Sequence, residues 1–235
     1  MTVPSDPEAL WQALHREAER SARRPPQPLP PRGHDARSGP AIDPGPAPAP
    51  VRDLEDALVV RRSVRQWADA LPLAPLGAVL RAAVTGAAEA FGAERDAGVR
   101  VSPLLVANGV ADRPRSVCTY DEPTSTLRSI ASLRAEDVEA MVSQPELARA
   151  PAWIVIVGDL AAAIARRGEH GHRLLLLQAG VAAHAVVLAA ISLGLDTCIF
   201  GALVSSELCR LADLDRYAAA PLLTVAVGAP AEDSR

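Results

Sequence analysis

The sequence predicts a mixed α+β domain built around a sheet, and three observations predict it. Short apolar runs rich in β-branched residues, at 99–107, 116–120, 153–157 and 221–228, alternate with longer stretches of helical periodicity. The longest helical stretch, 173–195, reads RLLLLQAGVAAHAVVLAAISLGL and is apolar on nearly every side. The order of elements is helices, strands, a helix, a strand, the long helix and a last strand, without internal repeats.

Composition bounds what such a domain does. An apolar fraction of 49% over 235 residues is ample for a sizeable core. Cys118, Cys198 and Cys209 are odd in number, far apart and without paired spacing, which fits a reducing compartment rather than disulfides or a metal site. The N-terminus lacks the apolar region of a signal peptide, so a cytoplasmic location is expected. A net charge of −4 with no basic face gives no support for nucleic-acid binding. Every basic side chain is Arg. That removes the chemistries that need lysine: Schiff bases, the phosphate-loop lysine and a lysine general base.

Taken in order, residues 6–23 carry acids early and Arg late and present Leu10, Trp11 and Leu14 on one face, which predicts a short amphipathic helix. Residues 24–50 are dominated by Pro and predict an extended linker, so the arm spans 1–50 and the main domain 51–235. DLEDALVV at 53–60 predicts a helix that leads into RRSVRQW. The next helix carries Leu76, Val79, Leu80 and Ala83 at helical spacing and is expected to end at Gly86. Residues 133–149 have helical periodicity broken near Pro145, and Pro151 stops the helix before the strand WIVIVGD. DLAAAIARRGEHGHR then leads into the long helix, whose exit is Gly194, a short strand DTCIF and Gly201. Ser205 and Ser206 precede a short helix, and PLLTVAVG closes the domain as a buried strand.

The long helix is long enough to cross a membrane, at about 1.5 Å per residue. Its Ala and Gly content and the absence of aromatic belts favour a buried core or subunit-interface helix instead. Within it, His184 reads as a hydrogen-bonded core or interface residue, and Gln178 as a residue that pairs across a dimer axis. Arg61, Ser63 and Arg65 occupy alternate positions in RRSVR. They converge on one side if the chain is extended there, as a phosphate site of guanidinium forks and a hydroxyl requires. A solvated basic turn is the other reading of the same residues. His170 and His172 alternate in RRGEHGHR without the further ligands of a metal site.

RRSVRQW, the Leu-rich helix after it, the Ala-rich helix ending in Gly194-Leu195, Ile199-Phe200-Gly201 and the closing TVAVGAP together resemble the flavin-dependent nitroreductase family. The resemblance implies a nitroreductase-like α+β fold: a central mixed or antiparallel sheet flanked by helices, with the long helix buried at a homodimer interface. SVCTYDEPTSTLRSI and GEHGHRLLLLQAG further resemble the SagB-type azoline dehydrogenases, which oxidise thiazoline and oxazoline rings in ribosomally made peptides. By that resemblance Arg61, Arg62, Ser63 and Arg65 hold the phosphate and ribityl chain of FMN. Gly201 offers backbone beside the flavin ring, with Ile199 and Phe200 nearby.

The chain departs from the pattern in three places. Val101-Ser102-Pro103 stands where the family often has Pro-Ser-x-Gly, leaving Ser102 as the flavin contact. Arg166-Arg167 stands at the catalytic Lys-Tyr positions. Because Arg stays protonated, the ring proton passes to His170, His172, another residue or water. Arg235 is the candidate for the basic residue that reaches the flavin phosphate after the last Gly-x-Pro. The implied function is an FMN-dependent dehydrogenase acting on azoline rings of a peptide substrate and partnered by a cyclodehydratase. The alternatives are a flavin-poor or flavin-free scaffold subunit of a peptide-modifying complex, and an NAD(P)H-dependent nitro or quinone reductase.

Overall fold

Residues 152–158 alternate between two cores, which fixes the layering of the molecule. Trp153, Val155 and Val157 join one buried cluster, while Ile154 and Ile156 join the other, as a strand with helices on both faces requires. The computed structural model describes residues 39–231, together with Glu8 and Gln12. Apart from those two, which are helical, the helix expected over 6–23 lies outside the described residues, as does Arg235.

The strands are β1 (Ala41–Ile42), β2 (Val101–Ala107), β3 (Ser116–Asp121), β4 (Thr126–Ser132), β5 (Ala152–Gly158), β6 (Asp196–Phe200) and β7 (Ala220–Gly228). They form one sheet in the order β1-β4-β3-β2-β5-β7-β6, and every neighbouring pair is antiparallel. The α+β sheet expected from the sequence is therefore present in its antiparallel form. β4 has no counterpart in the strand signals of the sequence, because Arg128, Ser129 and Ser132 break its apolar run; only Leu127 is buried on it. It is positioned by its hairpin with β3, whose turn holds Ser125 at φ 55°.

The helices are α1 (Leu54–Val60), α2 (Leu73–Ala90), α3 (Gly92–Asp96), α4 (Ala135–Ala140), α5 (Leu160–Arg167), α6 (Glu169–Ser192) and α7 (Ser205–Ala212). The break at Pro145 leaves a 3₁₀ turn, Pro145–Arg149, after α4. Helices α2 and α6 cover one face of the sheet, while α4, the 3₁₀ turn and α7 cover the other. Gly86 does not end α2, which runs a further turn. A Cβ there would lie 2.8 Å from the Ala185 Cβ of α6, so the glycine lets the two helices approach closely.

Helix α6 begins at Glu169, so GEHGHR is the junction of two helices rather than a loop. Gly168, at φ 57°, ends α5 by donating its N–H to the Ile164 carbonyl and turns the chain into α6. Among the described residues α6 is the one helix long and apolar enough to span a membrane, and it is a core helix with eleven residues buried in protein. Gln178 is 1% exposed, and its Nε2 donates to the Val99 carbonyl at 3.0 Å. It serves its own core and is not free to pair across an axis. His184 is exposed, not buried.

The proline-rich segment reaches the domain with its last residues. β1 adds to the edge of β4, Pro44 is buried against Gly77 of α2, and the Val51 N–H donates to the Ser192 carbonyl at 2.8 Å. Residues 39–51 thus run as a strap from the sheet edge over α2 to the C-terminal end of α6.

Candidate functional site

RRSVR is placed by α1 and by the free edge of β6. The Asp53 side chain accepts the Asp56 N–H at 2.9 Å and starts α1. The helix stops at Val60, and Arg61 is already out of helical geometry, at ψ 116°. Ser63 then bridges Thr197 in parallel, with the Val64 N–H donating to the Thr197 carbonyl at 2.9 Å. The chain is thus extended at Ser63, with Arg61 and Arg65 on either side of the bridge. All three are exposed, as is Arg62.

The motif borders three hollows in succession. Arg61 and Arg62 line a cavity of about 450 Å³ with Arg52, Ile191 and Asp196. Arg62 to Gln66 form the wall of an open groove. Arg65 and Gln66 continue into a cleft of about 650 Å³ on the other side. Burial pushes the Asp196 carboxyl above its ordinary range, against the opposing pull of Arg62 and Arg52. Arg52 Nη1 donates to the Ile191 carbonyl at 2.9 Å, fixing a third guanidinium at the C-terminal end of α6. Arg52 and Asp196 carry no motif, so sequence spacing did not mark them. Arg65 also lies 3.5 Å from Glu146, an exposed ion pair that competes weakly for the guanidinium.

At the end of β6, a Cβ on Gly201 would meet nothing within 4 Å, so open space lies over this backbone. Ile199 is 43% exposed on the same strand. Phe200 is a core residue: its ring packs edge-on to Trp153, with centroids 6.0 Å apart, so only its backbone faces the edge.

The remaining predicted residues gather at the opposite end of α6. Arg167 lies 3.4 Å from Glu94 of α3, and the Arg166 Nε is buried without a partner among the described residues. His170 is half-buried and His172 exposed in the first turn of α6. Ser102 pairs with Val157 at the same end of the sheet, three strands in from β6. At about 1.5 Å per residue, α6 carries its first turn, with His170 and His172, roughly 35 Å from its C-terminal end. Along the sheet RRSVR lies beside Thr197 at the start of β6, Gly201 follows Phe200, which shares a row with Leu104 two residues from Ser102, and Arg166, Arg167, His170 and His172 lie at the junction of α5 and α6.

The chain is 29% identical over 188 residues to a Methanocaldococcus jannaschii protein described as a nitroreductase, MJ1384, covering 74% of this chain and 90% of that one. A solved structure described as a nitroreductase from Anabaena variabilis matches with a TM-score of 0.68 at 22% identity. That match covers 82% of this chain, which spans 42% of the length of the Anabaena structure. A Desulfovibrio desulfuricans structure, also described as a nitroreductase and in complex with FMN, matches with a TM-score of 0.55 at 19% identity, covering 78% of this chain and 90% of that one. The family model described as "Nitroreductase family" matches residues 58–229, from the end of α1 to just past β7, so the chain belongs to the nitroreductase family.

Proposed function

We propose that the chain is an FMN-dependent dehydrogenase that works as a homodimer and oxidises azoline rings, thiazoline or oxazoline, in a ribosomally made peptide. Members of its family are flavin-dependent oxidoreductases, and the Desulfovibrio neighbour is a complex with FMN. The observation that carries the reading is the edge of β6: exposed guanidinium groups at 61, 62 and 65 flank Ser63, which bridges Thr197 at the start of the strand, and the bare backbone of Gly201 follows its end, about 13 Å along. Phosphate fits the forks, and a flat ring fits where no Cβ intrudes.

In this reading Arg61, Arg62, Ser63 and Arg65 hold the phosphate and ribityl chain, and the Gly201 backbone approaches the ring. FMN, when bound, supplies the acceptor for the hydride equivalent lost by the substrate. The chain's own residues orient the ring and take its proton. Arg166 and Arg167 supply positive charge, and His170 and His172 are the candidate proton acceptors. Arg167 already faces Glu94, which holds it in place. A cyclodehydratase would supply the azoline.

Purified protein should be yellow, hold FMN through gel filtration, and desaturate an azoline-containing peptide by two mass units. Gly201→Val should lose flavin while its melting temperature without added flavin stays within about 2 °C, since the new side chain enters open space. Protein that stays colourless after FMN is added and excess removed would falsify the enzyme reading and favour the scaffold alternative. A second reading is an NAD(P)H-dependent nitro or quinone reductase; the M. jannaschii relative, described as a nitroreductase, supports its nitro-reducing part. Rapid anaerobic bleaching of the bound flavin by NAD(P)H, with no peptide oxidation, would favour it.

A further inference from the structure

We propose that the cleft of about 650 Å³ beside RRSVR is a carboxylate-binding subsite for an acidic residue of a peptide ligand, with Arg115 and Arg149 as its specific contacts. The proposal rests on the reading above only in taking the ligand of the neighbouring groove to be a peptide.

Three features of the wall point to a ligand rich in acceptor oxygens. The Trp67 side chain is 9% exposed, and its Nε1 is buried without an acceptor among the described residues, a desolvated donor behind the cleft wall. Arg115 is oriented from behind: its Nε donates to Asn108 Oδ1 at 3.0 Å, while Asn108 Nδ2 donates to the carbonyls of Ala148 and Ala150 at 2.8 and 3.0 Å. That network ties the end of β2 to the 3₁₀ turn and leaves the terminal nitrogens of Arg115 to the cleft. Arg149, the last residue of that turn, makes no ion pair among the described residues. Two guanidinium forks that make no ion pair among the described residues therefore border the cleft.

The shape indicates a chain-like ligand. Arg65 and Gln66 line both the groove and the cleft, so the two are continuous. A peptide rises about 3.3 Å per residue when extended, so a few residues reach from the groove into the cleft. Asp69 and Glu139 stand in the same wall, three guanidinium groups against two carboxylates. Such a wall accepts one or two carboxylates among neutral or basic residues and rejects a polyanion.

The test uses two fluorescein-labelled decapeptides of Ser and Gly that differ only in carrying two Glu or two Gln at the same positions. Fluorescence anisotropy with the full chain should show the Glu peptide binding at least tenfold tighter at low salt, with the advantage falling as salt rises. Arg115→Glu and Arg149→Glu should each remove most of that advantage. Glu139→Gln should strengthen binding about threefold, a gain that a misfolded variant does not give. Equal binding of both peptides, or a Glu advantage untouched by either Arg substitution, overturns the proposal. So does complete competition by millimolar inorganic phosphate, which would mark a small-anion site. Flavin content is read separately. A colourless protein that still selects the Glu peptide sinks the oxidoreductase reading and keeps the subsite, and a yellow protein that does not select it does the reverse.

Discussion

At the scale of single residues, Gln178 and Asp196 show how burial changes the meaning of a side chain. Gln178 donates to Val99 from within α6, where both partners are out of water. Gln178→Leu leaves the Val99 carbonyl without its donor, a loss of about 1–3 kcal/mol. The expected result is a melting temperature lower by roughly 3–10 °C, given about 2–4 °C per kcal/mol for a domain of this size. An unchanged melting curve would mean that water replaces the bond. Asp196 is the opposite case, because its carboxyl is pushed up by burial despite Arg62 and Arg52. A carboxyl raised in the folded state contributes stability that is full below its unfolded value of about 3.9 and is lost as pH rises through the raised folded value. Asp196→Asn should therefore be more stable than the parent at pH 7, with the gap closing as pH falls below 4. Solvent screening of a half-exposed group keeps the gain under about 1 kcal/mol. Melting temperatures of the two proteins from pH 3 to 8 check it, and parallel curves sink the idea. Neither role was legible in the sequence. The pattern RRSVR marks a phosphate-shaped motif, but only the fold brings Asp196 and Arg52 beside it.

At the scale of elements, legibility followed the strength of the hydrophobic period. β2, β3, β5 and β7 are buried on both faces and read directly as β-branched runs, and α6 read as a core helix from its composition. β4 and β1 are held by ladder bonds to neighbours and carry few apolar residues, so no period announced them. The strap shows what such contacts are worth. At Gly77 a Cβ would lie 2.7 Å from the Cβ and Cγ of Pro44. Alanine there gains about 0.5–1 kcal/mol of helix propensity but overpacks the contact at about 1–3 kcal/mol. The strap holds at this end by the short β1 ladder and by the Gly39 N–H on the Ser129 carbonyl, so lifting it is easier than deforming α2. Gly77→Ala should change global stability by under about 1 kcal/mol, yet speed amide exchange over residues 39–44 at least tenfold. Exchange as slow as in the parent, with a large fall in melting temperature, would show that the strap is part of the global folding unit.

At the scale of the whole molecule, the apolar surface left exposed by α6 and α1 fits the proposed homodimer. Leu176 and Leu177 of α6 are 46% and 58% exposed, and α1 adds Leu54 and Leu58 at 63% and 50%. An apolar surface of this kind marks an interaction site. The midpoint of Glu169–Ser192 falls between Gly180 and Val181, and open space lies above Gly180, so another helix can come close there. In the proposed homodimer a two-fold axis through that point would pair α6 with its copy in antiparallel fashion. In that proposed dimer the junction of α5 and α6, with Arg166, Arg167, His170 and His172, would lie against the partner's RRSVR. Leu177→Glu tests this arrangement. In a lone protomer the position is exposed, so the substitution should cost no more than about 0.5 kcal/mol. In the paired state it buries a carboxylate in an apolar seam, a cost of several kcal/mol. Light scattering should find the parent at twice the 24.6 kDa chain mass and the variant at the chain mass, with bound flavin lost in step. A variant that stays dimeric would place the interface elsewhere. A monomer that keeps its flavin would show that one protomer's edge of β6 suffices to hold it.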